Sequence, residues 1–278
     1  MIVDAHHHFW DPAAADYPWL TDELATIRRA FGPADLAPEL EAAGVEATVL
    51  VQTRSSLDET VEFLATADAT PFVRGVVGWV DLTDPSVSDV IARLRDGRSG
   101  DRLVGIRHQA HDEPDPNWLV RDDVVRGIGA AGTAGLVYDL LVRSRELPAA
   151  LALARRLPDV RFVIDHVAKP SIATGELAPW EARMAPFREL EHVTCKVSGM
   201  VTEADWSSWT PADLQPYVDR VLEIFGPDRL LFGSDWPVCL LAASYGDVVA
   251  AARATLAGLS ESERAKVFGG TAAAAYRL

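Results

Sequence analysis

Short runs of Val, Ile, Leu and Ala, bounded by charged or turn-forming residues, recur at 2–6, 47–52, 73–80, 103–107, 135–140, 160–165, 193–198 and 229–233. They read as apolar on both faces, the pattern of parallel strands covered by helices on each side. Segments with helical apolar spacing separate them, and strands alternating with helices mean repeated βαβ units. Eight such units in about 250 residues predict closure of the sheet into a barrel. The expected architecture is therefore a single-domain α/β fold, a TIM-like (β/α)8 barrel over residues 1–278.

Punctuation along the chain agrees with that reading. Pro33 and Asp35 introduce a helix over 35–43 that stops at Gly44, and Asp84-Pro85 introduce one over 85–96 that stops at Gly97. Pro early and Gly late is the asymmetry that helix ends favour. Ser260 with Glu263 forms a capping box for a last helix running toward Phe268, outside the eight repeats.

Composition narrows the function. The 278 residues are 49% hydrophobic, enough for one large core, and no compositional shift marks a boundary. A formal charge of −15 disfavours nucleic acid and anionic membrane, since both need basic patches. Cys195 and Cys239 are too few for a disulfide framework, and residues 1–5 lack the basic start and apolar run of a signal peptide. The longest apolar stretch, around 238–259, is broken by Asp247 and Arg253. A cytoplasmic protein is expected, and a homo-oligomer is compatible with this composition.

In such barrels the chemistry sits at the C-terminal ends of the strands. Those ends supply His6 and His8; Gln52 and Arg54; Trp79 and Asp81; Arg107 and His108; Tyr138 and Asp139; Asp165, His166 and Lys169; Lys196 and Ser198; and Ser234, Asp235 and Trp236. Eight successive polar ends are hard to ascribe to loops alone. Strand alternation puts His6 and His8 on one face with Asp4, and turns His7 away into packing. Phe9-Trp10-Asp11-Pro12 after the three histidines marks them as native sequence rather than a purification tag.

Five stretches carry a resemblance: VDAHHHFWDP at 3–12, GIRHQAHDEPDPNWL at 105–119, FVIDHVAKP at 162–170, CKVSGMVTEADW at 195–206 and FGSDWPVCLLAASY at 232–245. With them the chain resembles the amidohydrolase superfamily, specifically its branch of sugar-acid lactonases and the related pyrone-dicarboxylate lactonase. That resemblance implies the barrel and a hydrolytic activity on a sugar lactone, an aldonolactone such as a fucono- or rhamnono-lactone. Binuclear relatives place a carboxylated lysine at the end of strand 4 and a histidine at the end of strand 5, where this chain has Arg107 and Asp139. Arginine can neither bridge nor bind a cation, so the second metal position keeps only His166. One divalent cation, Zn or Mn, can still be written onto His6, His8 and Asp235, but the branch implies that none is required.

For lactone hydrolysis Asp235 is the expected base, with His6 and His8 holding the water or keeping Asp235 ionised. His166 and Arg107 are the expected electrophiles toward the carbonyl, the alternative for Arg107 being a brace paired to Asp81 or Asp139. Gln52, Asp139 and Lys169 are expected to read substrate hydroxyls. Trp10, Trp79 and Trp236 complete the expected substrate wall, with Tyr17, Trp19 and Trp118 as further aromatic faces for a sugar ring. One deep arginine mixed with acids suits a neutral polyhydroxylated lactone better than a dicarboxylate. The rival readings are a metal-dependent decarboxylase on the same scaffold and a catalytically inactive sugar-acid-binding barrel.

Overall fold

The computed structural model describes residues 1–278. Eight parallel strands pair in sequence order: β1 Val3–His7, β2 Ala47–Val51, β3 Val73–Gly78, β4 Leu103–His108, β5 Val137–Leu140, β6 Phe162–Ile164, β7 Val193–Val197 and β8 Leu230–Phe232. Every expected strand is present. β6 and β8 are shorter than their apolar runs, the backbone leaving the sheet at Asp165 and at Gly233.

Closure runs through the candidate site itself. A single parallel bridge joins His7 to Trp236. Around it the Asp235 N–H donates to the His6 carbonyl at 2.8 Å, and the His8 N–H to the Trp236 carbonyl at 2.7 Å. The bonds that shut the barrel therefore hold Asp235 against the first strand.

The core has two parts. A larger cluster fills the space between sheet and helices, and a smaller one lies inside the barrel, with Val3, Ala5, Val49, Val77, Val137, Val163 and Leu231 packed on Ala272 and Tyr276. The helix Thr271–Tyr276 thus plugs the end of the barrel opposite the strand C-termini. It is continuous with Glu261–Ala265, capped reciprocally by Ser260 and Glu263, through a π turn at Lys266–Gly270. The final helical segment consequently runs past Phe268 to Tyr276.

The first strand departs from simple alternation. Asp4 pairs with Thr48 but His7 with Leu50, so β1 spends one extra residue in a bulge. Val3 and Ala5 face the barrel interior while Asp4 faces outward, accepting from the Ser234 N–H at 2.8 Å and the Tyr245 hydroxyl at 3.1 Å. The bulge then returns His6 to the inside with His8, which corrects the expectation that Asp4 shares their face. His7 points out and bonds Thr48 Oγ1 at 2.8 Å, as expected. No helix is long and apolar enough to cross a membrane.

Candidate active site

His6, His8, His166 and Asp235 converge at one mouth of the barrel. Nε2 of His6 and Nε2 of His8 lie 3.1 Å apart. Asp235 Oδ1 lies 3.4 Å from His8 Nε2, 3.7 Å from His6 Nε2 and 3.8 Å from His166 Nε2. All four side chains are buried.

Two of them sit on left-handed backbone. His166, Val167, Ala168 and Lys169 have φ of 52°, 46°, 59° and 48°, and Asp235 has φ of 58°. Left-handed helical geometry costs roughly 1–2 kcal/mol per non-glycine residue, so the surroundings have to impose it. The Lys169 N–H closes the turn onto the His166 carbonyl at 2.8 Å, Trp180 Nε1 donates to the Val167 carbonyl at 2.6 Å, and Val167 and Ala168 are fully buried. The turn swings His166 over Asp235, and Ser198 Oγ meets its Nδ1 at 2.9 Å.

Below this group lies a buried chain of alternating charge. Arg107 Nη1 donates to Asp165 Oδ2 at 3.0 Å and approaches His6 Nε2 at 3.2 Å. Lys196 Nζ lies 2.9 Å from Asp165 Oδ1 and donates to Asp139 Oδ2 at 2.6 Å. Tyr276, from the plugging helix, donates its hydroxyl to Asp139 at 2.7 Å. Gln52 clasps the other edge of Arg107 through Oε1, 2.8 Å from Nη2, and through its carbonyl.

Charge states follow. Burial pulls the His166 imidazole down to about 3, with Asp235 and Asp165 offsetting only part of the effect. His6 is likewise pushed well below its ordinary value by burial, with Lys196 and His166 adding to it against Asp165. Both rings are therefore neutral at pH 7. Burial opposes ionisation of Asp235, but His166, His8 and His6 around it prevail and hold its carboxyl below the usual range. Asp165 is also held well below its ordinary value, because Lys196, His6 and Arg107 outweigh its burial. Burial and the neighbouring Asp165 push Asp139 up to about 6 despite Lys196.

Above the group opens a cavity of about 380 Å³, lined by His8, Arg107, His166 and Asp235 at its base and by Trp19, Thr53, Gln109, His111, Asp112, Arg143, Lys169, Glu203 and Trp206 among others on its walls. Of the expected substrate-contacting residues, Lys169 lines it, paired with Glu203 at 2.8 Å. The others are corrected. Gln52 and Asp139 are fully buried and committed to Arg107 and Lys196. Trp10 lies behind the wall, bonded to the Ile27 carbonyl and packed on Trp19 and Phe31. Trp236 packs on Phe9 and Phe31, and Trp79 spends its N–H on His108.

Other aromatics divide the same way. Trp118 stacks on His108 at 4.1 Å and Tyr17 packs beside Trp19 at 6.3 Å, so Trp19 is the one of the three further faces that lines the cavity. Arg107 is braced as well as exposed to the cavity, but by Asp165 rather than Asp81 or Asp139. Sequence reasoning placed Asp165 at a strand end and gave it no role. It also missed Arg143, in the loop after β5, and Trp206, although the latter closes the 195–206 stretch.

His6, His8 and Asp235 each offer one ligand atom within 4.8 Å of the others, as do His6, Asp165 and His166. Two imidazoles and a carboxylate are donors suited to zinc. Arg107 at 3.2 Å from His6 Nε2 competes for one of those lone pairs and adds a positive charge beside the first set.

The sequence matches the amidohydrolase family model over residues 3–278. It is 40% identical to an L-fucono-1,5-lactonase of Burkholderia multivorans across 100% of this chain and 96% of the relative. An L-fucono-1,5-lactonase of Burkholderia ambifaria is also 40% identical, across 99% and 95%. A crystal structure of an amidohydrolase from Burkholderia multivorans with bound zinc superposes with a TM-score of 0.95 at 39% identity, covering 100% of this chain and 99% of that one. A match that runs from the first strand to the last residue, and takes in every strand end that carries the site, means that this chain belongs to the amidohydrolase family.

Proposed function

We propose that this chain hydrolyses a sugar-acid lactone, an aldonolactone of the fucono- or rhamnono- type, with Asp235 as the base that activates water. The observation that carries the reading is the convergence of an ionised Asp235, a neutral His166 and Arg107 on the base of one cavity. The two L-fucono-1,5-lactonases at 40% identity support a sugar-acid lactone as substrate. The walls suit a neutral polyhydroxylated ring: Arg143 and Lys169 alternate with Asp112 and Glu203, and Trp19 and Trp206 offer apolar faces. A substrate with two ring carboxylates would meet those two acids.

Hydrolysis proceeds in two stages. Asp235 takes a proton from water as its oxygen bonds to the lactone carbonyl carbon. Charge grows on the carbonyl oxygen, where the Arg107 Nη1 edge and a His166 Nε2–H are the donors; a Ser198 hydroxyl donating to Nδ1 leaves the His166 proton on Nε2. Collapse of the tetrahedral adduct breaks the bond to the ring oxygen, which takes the proton back from Asp235. One water and one lactone give one hydroxy acid, and Asp235 ends as it began.

The donors that would hold a divalent cation are His6, His8 and Asp235, and a cation there would supply Lewis acidity. In our reading Arg107 already provides fixed positive charge at the carbonyl, so no cation is required. The test is base consumption in a pH-stat across a panel of aldonolactones, before and after exhaustive chelation. Hydrolysis of at least one member, undiminished by chelation, is expected. Absence of hydrolysis across the panel sinks the substrate class, and loss restored by zinc or manganese sinks the cation-independent mechanism.

A further inference from the structure

We infer that the barrel mouth holds a second binding site, a subsite for another neutral sugar ring carried by the lactone, so that the substrate class extends to two-ring aldonolactones. The inference deepens the proposed function and rests on it for the reacting end of the substrate. Its basis is a second cavity of about 620 Å³ beside the one described above. Trp19, Thr53, Gln109 and Asp112 line both, so the two compartments meet along a shared wall. Each lies within the roughly 300–1,000 Å³ of ordinary ligand pockets, and one lactone ring over Asp235 and His166 leaves the second without an occupant.

The topology sets the direction in which the substrate extends. Thr53 follows β2, Gln109 follows β4, and Asp16 and Trp19 belong to the connection after β1. The second compartment therefore lies over the first half of the sheet, away from Lys169 and Glu203, which follow β6 and β7. His6, His8, His166 and Asp235 are absent from its lining, so it can bind but not hydrolyse. A lactone whose carbonyl meets Arg107 at the base of the first cavity sends a substituent on its outer end past Thr53 and Gln109 into the second.

The lining selects the chemistry of that substituent. Pro18 and Trp19 are its apolar surfaces, too few for an acyl chain. Around them stand groups with unused hydrogen-bonding capacity. Gln109 borders both compartments, and Asp16 and Ser55 are exposed to the second. Arg54 spends its backbone N–H and Nε on the buried Glu59 and keeps both Nη groups. Asp112 accepts from His111 Nε2 at 3.1 Å and keeps its second oxygen. An amide, a hydroxyl and carboxylates arranged about an aromatic face match the hydroxyls and the apolar face of a sugar ring. Asp16 and Asp112, set against one arginine already paired with Glu59, disfavour a phosphate or carboxylate there.

The shared wall can also yield. Trp10 and Tyr17 meet the Trp19 ring edge-on at 5.0 and 6.3 Å, and its buried Nε1 has no acceptor. Packing alone holds the indole, so no hydrogen bond opposes a small rotation that widens the passage between compartments.

The test uses cellobionate and melibionate, whose second ring is carried on O4 and on O6, beside one-ring gluconate. Calorimetric titration at pH 7 reads the binding of the three acids, and a pH-stat reads kcat/KM on the three corresponding 1,5-lactones. At least one two-ring acid should bind ~10-fold or more tightly than gluconate, and its lactone should show a similar gain in kcat/KM through KM. Ser55→Trp, at an exposed bend, fills the second compartment, and Gln109→Ala removes a polar group from the shared wall. Each should lower the two-ring to one-ring ratio, Ser55→Trp at least ~10-fold. No binding advantage for either two-ring acid overturns the inference, as does a folded Ser55→Trp that keeps the advantage intact. A two-ring binding advantage that Ser55→Trp abolishes, in a protein that opens no lactone, would support the subsite and count against the proposed function alone.

Discussion

Replacing Gly199 with alanine should disable the site while leaving the fold. Gly199 has φ of 59°, and a Cβ built there lies 2.4 Å from His166 Nδ1, 2.8 Å from His166 Cγ and 3.1 Å from Asp235 Oδ2. The imidazole has to retreat by about 1 Å to reach ordinary contact, yet it is held by a left-handed backbone and by Ser198. A displacement of that size at a reacting group costs on the order of 10²-fold in rate. Overpacking costs about 1–3 kcal/mol and left-handed alanine about 1–2 more, within the stability of a typical domain. Gly175 is the control, since its φ is 67° but no atom lies within 4 Å of its Cβ position. The assay is kcat/KM on the best lactone beside a thermal melt. Gly175→Ala should lose stability alone, whereas Gly199→Ala should lose both. A folded Gly199→Ala with kcat/KM within threefold of wild type would refute the reasoning.

Asp165→Asn should be strongly destabilising, because it leaves the buried Arg107 and Lys196 with one counter-charge fewer; breaking a buried pair costs about 3–5 kcal/mol, and a melt unchanged from wild type would contradict the network. Stability should fall as pH drops from 7 to 5. Buried His7 and His166, each pulled down to about 3 by burial, and His6, also lowered, take up protons near pH 6.5 only on unfolding, so their folded-state stability is lost below that pH. Asp4 and Asp139, raised to about 6 mainly by burial, act the other way by taking up protons in the folded state, leaving about one net proton and roughly 1.4 kcal/mol per pH unit near pH 5. Asp235 and Asp165, held below the ordinary range, lose their contribution only at more acidic pH. Stability that rises between pH 7 and 5 would show those protonation states to be wrong. Trp206→Ala removes an exposed apolar wall of the cavity and should raise KM severalfold with kcat little changed, by steady-state kinetics.

The strands were legible because each is a β-branched or aliphatic run flanked by polar residues, and the strand ends named His6, His8, Arg107, His166 and Asp235 in advance. What the pattern could not show is which way a residue turns once regular geometry stops. The bulge in β1 reverses Asp4 against His6, and the left-handed turn at His166–Lys169 has no glycine to announce it. Gln52, Asp139 and Trp236 are polar or amphipathic residues at strand ends, which fits a ligand-reading role and a bracing role equally. Only the partners decide: Arg107 for Gln52, Lys196 and Tyr276 for Asp139, and a pair of phenylalanines for Trp236. Asp165 was invisible as a hub because its three partners come from β1, β4 and β7, brought together only by closure of the barrel.

The central claim is that Asp235 carries the water proton, and the most direct measurement compares kcat for Asp235→Asn and wild type on the same lactone, both metal-stripped. The amide keeps the shape of the carboxylate and loses its basicity. A loss of kcat on the order of 10²–10⁴-fold with KM and the thermal melt near wild type is the predicted result. A folded Asp235→Asn that turns over within tenfold of wild type would contradict it and leave another group as the base.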